Sequence, residues 1–261
     1  MAALYDRIGR TYAASRAADP RLAAAIRAAI GDARSVVNVG AGAGAYEPPD
    51  LDVIAVEPAA AMTAQRLPGS TALVLDATAE AIPLPDDHVD AALAVLSDHH
   101  WADRAAGLRE LARVARRRVV LVNSEPDAAP GFWLTRDYLP DFLTLIPDRY
   151  RATPGLWRGE LRTLLGGAVR FAPLPIPHDC ADGFYHAFWR RPDAYLDPAI
   201  RDNISVFRAL PPERVAEATR RLAADLASGA WHSANHALRQ SDAHDAGLRV
   251  VVAELGGAST I

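Results

Sequence analysis

The chain has 261 residues, 50% hydrophobic and 23% charged, enough to bury a full core as one elaborated domain. Its 28 basic and 32 acidic residues create no global positive field, and no basic run exceeds Arg116, Arg117 and Arg118, which argues against nucleic acid as a partner. The single cysteine, Cys180, rules out an internal disulfide, and without a signal peptide or a long apolar span the expectation is a cytoplasmic protein with no membrane partner.

Residues 5–16 carry Tyr5, Tyr12 and Arg16 and read most simply as a docked terminal helix. Asp19 is an N-cap with Pro20 at the first helical position, and Leu22, Ala25, Ile26, Ala29 and Ile30 recur at helical spacing until Gly31. Residues 35–44 follow as Ser-Val-Val-Asn-Val-Gly-Ala-Gly-Ala-Gly. Val36, Val37 and Val39 suit a strand covered on both faces, and Gly40, Gly42 and Gly44 permit positive φ and a close ligand approach. Pro48 and Pro49 leave room for at most one helical turn before a second strand at residues 53–56, which ends in Glu57 and Pro58. A helix is expected over 59–66, a third strand over 72–75 ending in Asp76, and a fourth over 89–96. Leu108, Leu111, Ala112 and Ala115 mark an amphipathic helix, and residues 119–122 a fifth strand.

Beyond Ser124 the alternation loosens. Phe132, Trp133, Tyr138, Leu139, Phe142 and Leu143 suggest an apolar helical segment, 156–165 a helix, 169–176 a sixth strand, 178–244 a largely helical stretch and 248–255 a last strand. The order predicts an α/β fold: a doubly wound, Rossmann-like seven-stranded sheet, mostly parallel, with helical insertions after strands five and six. Residues 1–123 would form a cofactor-binding half and 124–261 a substrate-side half of one domain.

A glycine turn at a strand's carboxyl end commonly holds a nucleotide, and a dinucleotide and S-adenosylmethionine compete for this one. The dinucleotide fingerprint spaces its glycines G-x-G-x-x-G and opens a helix whose N-terminus faces the pyrophosphate. Here the third glycine comes one residue early and the double proline truncates that helix. A cofactor without phosphates needs no such helix. Glu57, an acceptor-only carboxylate at the end of the second strand, suits a vicinal diol.

Over residues 5–123 the ordered set of motifs resembles a class I S-adenosylmethionine-dependent methyltransferase of the broad small-molecule type. Residues 36–44 resemble the family's first motif, 53–58 the strand whose acid, here Glu57, accepts from both ribose hydroxyls, and Asp76-Ala77 the segment whose aspartate meets the adenine amino group. Residues 90–96 resemble the strand that ends beside the sulfonium. The resemblance therefore implies S-adenosylmethionine as cofactor, an antiparallel last strand, and a cofactor site drawn from Tyr12, Arg16, Asn38, Gly40, Ala41, Gly42, Gly44, Glu57, Pro58, Met62, Asp76, Ala77 and Leu96. Tyr12 and Arg16 are expected to close over the methionine end. Asn38 stands where the family's first motif usually has an acid, although its carbonyl oxygen can still accept.

Methyl transfer from a sulfonium is an in-line displacement in which alignment carries much of the rate, with a base needed when the acceptor must lose a proton. The run Ser97-Asp98-His99-His100-Trp101 follows the fourth strand and offers that base, His100 ahead of His99. The plainer alternative is that the run packs the mouth of the sheet. Sequential placement of Asp98, His99 and His100 lacks metal-ligand spacing, so no metal is expected. Trp101, Trp133, Tyr138, His178 and Tyr185 are the candidates for contact with a mostly apolar small-molecule acceptor, with Phe184, Phe188 and Trp189 beside them; singly, each fits helix packing as well. The rival readings are an S-adenosylmethionine-binding protein repurposed as a scaffold or for other chemistry, an NAD(P)-dependent oxidoreductase, and an RNA methyltransferase, the last disfavoured by charge.

Overall fold

A computed structural model describes residues 17–66 and 69–256. Its centre is a seven-stranded sheet. Strands β1 (Ser35–Val39), β2 (Asp52–Val56), β3 (Leu73–Leu75), β4 (Val89–Val95) and β5 (Ala115–Ser124) run parallel in the spatial order β3-β2-β1-β4-β5. β6 (Ala168–Pro173) forms the far edge, and two residues at β7 (Ile176–Pro177) and β8 (Ala243–His244) pair apart from the sheet. The last strand, β9 (Leu248–Glu254), enters antiparallel between β5 and β6.

Alternation along β1 sends Val36 and Asn38 to one face and Val37 and Val39 to the other, and the three valines are fully buried. On the first face Val36 joins α1 (Pro20–Ile30) through Leu22, Ile26 and Ile30, together with an aromatic group that includes Phe132, Trp133, Tyr138, Tyr185 and Trp189. Asp19 caps α1 as its spacing predicts: its side chain accepts from the Arg21 amide. After the four-residue α2 (Ala60–Thr63), the opposite face is covered by α3 (Arg104–Val114) and α4 (Leu156–Leu165). α5 (Pro212–Ser228) joins the first layer through Ala218 and Leu222.

The expected helix over 59–66 is shorter: it starts at Ala60 and stops at Thr63, and residues 64–66 continue only as a turn and a bend. Ala115, read as helical, instead begins β5: α3 stops at Val114, and Arg116 to Arg118 are strand residues, with Arg118 Nε donating to Glu254 Oε2 on the neighbouring β9 (3.0 Å). The sixth strand does not run to residue 176. It ends at Pro173, and the prolines at 173 and 175 lack the N–H groups a continuous ladder requires. The first insertion forms 3₁₀ turns and one π-helical turn, Leu134–Tyr138, rather than an α-helix. Only α5 and several shorter pieces of 178–244 are helical, since Pro192, Pro198 and Pro212 restart the chain repeatedly. No helix among the described residues is long and apolar enough to cross a membrane.

Candidate active site

The carboxyl ends of β1, β2 and β4 open into a cavity of about 270 Å³. The glycine turn supplies one wall, with φ of 67° at Gly40, 55° at Gly42 and 83° at Gly44. Residues 40–51 contain no helix, so no helix N-terminus faces the cavity from this crossover. A Cβ on Gly42 would project to within 3.2 Å of Met62 Cε, a second lining residue, and would fill part of the cradle.

Glu57 stands at the end of β2, 9% exposed. The Gly42 amide donates to its Oε2 at 2.8 Å and the Ala59 amide to its Oε1 at 2.9 Å. Burial raises the carboxyl pKa above its ordinary value, while these two amides and the more distant Arg66 oppose that rise. Each carboxylate oxygen has one further acceptor site, so Glu57 holds the turn and can still receive a diol. Pro58, Ala59 and Met62 continue this wall, and Ala77, Thr78, Ala79 and Glu80 form the next.

The fourth strand delivers Val95, Leu96 and Ser97 to the cavity. Leu96 has φ of 49°, an uncommon conformation for a branched side chain at the point where the strand meets the site. The 3₁₀ turn Asp98–His100 is fixed from beneath. Ser97 Oγ donates to the Val39 carbonyl at 2.8 Å, the His100 amide donates to the Ser97 carbonyl at 2.9 Å, and buried Asp98 accepts from Arg104 Nε at 2.8 Å and, closely, from Asn123 Nδ2. Both Asp98 oxygens are engaged in this way, so the acid anchors the turn that carries His99 and His100. His100 lines the cavity, whereas His99 is half-exposed outside it, its ring 3.9 Å from that of His100. Trp101 also lines the cavity. Its ring lies over Gly107 of α3, where a Cβ would come within 2.4 Å of the indole, and its buried Nε1 has no hydrogen-bond partner among the described residues.

Of the expected cofactor residues, Asn38, Gly40, Ala41, Gly42, Glu57, Pro58, Met62, Ala77 and Leu96 are brought together around this cavity. Asp76 is not: it is exposed at the end of β3 and the wall passes through its successors. Gly44 shapes the turn without lining the cavity, and Tyr12 and Arg16 lie outside the described residues.

The expected acceptor-binding set divides in the same way. Trp101 is at the cavity. Trp133, Tyr138 and Tyr185 are buried in the aromatic layer: Trp133 Nε1 donates to the Trp189 carbonyl, Tyr138 OH donates to Asp225, and Tyr185 OH pairs with Thr135. Trp133 packs edge-on to Tyr138, Tyr195 and Trp231, as aromatic rings do in a core. His178 is half-exposed near the Asp242 carbonyl. Cys180 is buried, and burial pushes its thiol up to about 12. The residue that sequence reasoning passes over is Tyr46, which lines the cavity and donates to Asp182 Oδ2 at 2.9 Å. Nothing local distinguishes this tyrosine, because its partner lies 136 residues away.

A doubly wound sheet with an antiparallel strand next to its far edge, a glycine turn and a strand-end acid without a phosphate-receiving helix defines the class I S-adenosylmethionine-dependent methyltransferase fold. The family model described as a methyltransferase domain matches residues 37–122, the span of β1 to β5 that bears the cavity. An uncharacterized methyltransferase of Mycobacterium tuberculosis is 40% identical over 113 residues, which is 40% of this chain and 42% of that protein. The chain thus spans less than half the length of the curated relatives it matches. A solved structure from Anabaena variabilis, a candidate methyltransferase of an antibiotic biosynthesis pathway, superposes with a TM-score of 0.82 at 29% identity, covering 92% of this chain and 98% of that one. The YcgJ protein of a Bacillus species is similar in fold alone, with a TM-score of 0.51 at 19% identity over 91% of this chain and 99% of that one. Residues 37–122 thus form a methyltransferase domain on the class I fold, and S-adenosylmethionine is the cofactor of such domains.

Proposed function

We propose that the protein transfers a methyl group from S-adenosylmethionine to a small-molecule acceptor. The observation that carries this reading is the cavity itself, where the glycine turn and Glu57 face each other and residues 40–51 offer no helix for a pyrophosphate. When bound, the cofactor supplies an electrophilic methyl on a sulfonium. Glu57 accepts from the ribose hydroxyls, the turn at Gly40, Ala41 and Gly42 supports the methionine part, and Met62, Ala77 and the residues after it enclose the adenine.

The acceptor enters beside His100, Trp101 and Tyr46. His100 takes its proton where the acceptor atom carries one, and the pinned turn Asp98–His100 fixes the ring's position. Trp133, Tyr138 and Tyr185 serve by packing the layer behind. The antibiotic-pathway setting of the Anabaena relative and the absence of a basic run support a small organic acceptor. The test is incubation with S-adenosylmethionine bearing an isotopically labelled methyl and panels of phenols, carboxylic acids and amines, read by mass spectrometry. A labelled methyl gain in one acceptor, matched by S-adenosylhomocysteine formed, is expected. Transfer to RNA with none to small molecules would overturn the acceptor assignment.

A further inference from the structure

α5 is 17 residues long, yet only Ala218 and Leu222 among its side chains are buried. On a neighbouring face Val215, Thr219 and Ala223 recur at four-residue spacing and are half-buried. They form one wall of an open groove of about 820 Å³. The facing wall comes from the chain just before α5: Leu196 ends the 3₁₀ turn Pro192–Leu196, Phe207 stands on the short helix Ser205–Ala209, and Leu210 follows it. Phe207 packs on Tyr185 and Tyr195, so the floor of the groove is apolar and anchored in the core. The lining shares no residue with the cofactor cavity.

The rim is basic, although the chain as a whole carries a net charge of -4. Arg201, Arg208 and Arg220 line the groove against one acid, Asp202. Arg220 is neutralised by Glu217, one helical turn before it on α5. The other two are not ion-paired among the described residues: Arg201 Nη1 donates to the Tyr195 carbonyl at 2.7 Å, and Arg208 Nε donates to the Asp202 carbonyl at 2.6 Å. Each bond uses one of a guanidinium's donors, holds the fork beside the groove and leaves its charge in place. The Asp202 carboxylate offsets at most one of the two charges, so the edge of an apolar trough stays positive. An apolar groove alone would accept any apolar surface. A guanidinium fork narrows the choice, because its geometry matches a carboxylate bidentately.

We propose that this groove is a second ligand site, for an amphipathic carboxylic acid whose apolar chain lies between Val215 and Phe207 and whose carboxylate meets Arg201 and Arg208. Its occupant is bound together with the cofactor and not in competition with it, because the two linings are separate.

The test is titration calorimetry of the full chain with octanoate, with octanamide, which has the same chain and no charge, and with acetate, which has the charge and no chain. Octanoate should bind at one site, octanamide about tenfold more weakly or worse, the scale of one hydrogen bond to a charged group, and acetate not at all. Saturation with S-adenosylhomocysteine should leave the octanoate affinity unchanged. In Arg201→Gln combined with Arg208→Gln, octanoate should fall to the affinity of octanamide, which itself should not change. Should that variant fail to fold, Val215→Glu, which sets a like charge among the apolar contacts, should abolish octanoate binding. Equal binding of octanoate and octanamide, a preference that survives the double substitution, octanoate binding retained in Val215→Glu, competition with S-adenosylhomocysteine, or no octanoate binding at millimolar concentration would each overturn the proposal. So would a dimer, seen by light scattering, that Val215→Glu separates into monomers, since the groove would then hold a second copy of the chain.

Discussion

Replacement of His100 by alanine is expected to lower turnover by about two to four orders of magnitude, the usual contribution of a positioned general base, with cofactor affinity nearly unchanged. The expectation follows from placement. His100 lines the cavity, whereas His99, its neighbour, is half-exposed outside it, so His99→Ala should leave turnover close to wild type. Raising the pH should shrink the His100→Ala loss, because an acceptor that ionises unaided no longer needs a base. If His100 instead serves to hold the loop after β4, cofactor affinity and stability should fall together and high pH should restore nothing. The structure already gives the loop other anchors in Ser97, Asp98, Arg104 and Asn123, which is why the kinetic outcome is expected.

Glu57→Ala is expected to act on both binding and folding. Loss of its hydrogen bonds to the ribose should weaken cofactor affinity by about 1.5–3 kcal/mol, the range for hydrogen bonds to a charged group. The same change strands the Gly42 and Ala59 amides, which now donate to the carboxylate, so stability should fall as well, by up to about 1–3 kcal/mol for each amide left unsatisfied. Glu57→Gln is not a neutral substitute, because its NH₂ would face one of those amides, donor to donor. Burial holds the Glu57 carboxyl above its ordinary pKa in the folded state. A raised folded value means that this contribution to stability is fully present below the unfolded pKa and is lost as pH rises through the folded one, so the stability gap between wild type and Glu57→Ala should narrow across that window. Chemical denaturation and calorimetry on the same samples check both parts. Unchanged affinity per folded molecule would make Glu57 a staple of the turn and nothing more.

What was legible in the sequence is what local pattern determines. The β-branched run before Gly40, the cap at Asp19 and the acid at Glu57 each need only a few neighbouring residues to be read, and the structure places all three as their chemistry requires. The boundary at Ala115 was not legible, because alanine favours a helix locally and only its pairing with Val89 of β4 makes it a strand start. Trp133, Tyr138 and Tyr185 show the harder limit. Aromatic residues fit a ligand pocket and a protein core by the same property, and only the edge-on packing of Trp133 against Tyr195 and Trp231, far apart in the chain, places it in the core. The same holds for polar partners: Tyr46 with Asp182 and Asn123 with Asp98 are pairs that only the fold brings together.

The most direct test of the account is titration calorimetry of the purified chain with S-adenosylmethionine, S-adenosylhomocysteine, NAD and NADP. Both adenosyl ligands should bind and neither dinucleotide should, because the turn at residues 40–44 is not followed by a helix that could receive a pyrophosphate. Micromolar binding of NAD or NADP with no response to either adenosyl ligand would contradict it.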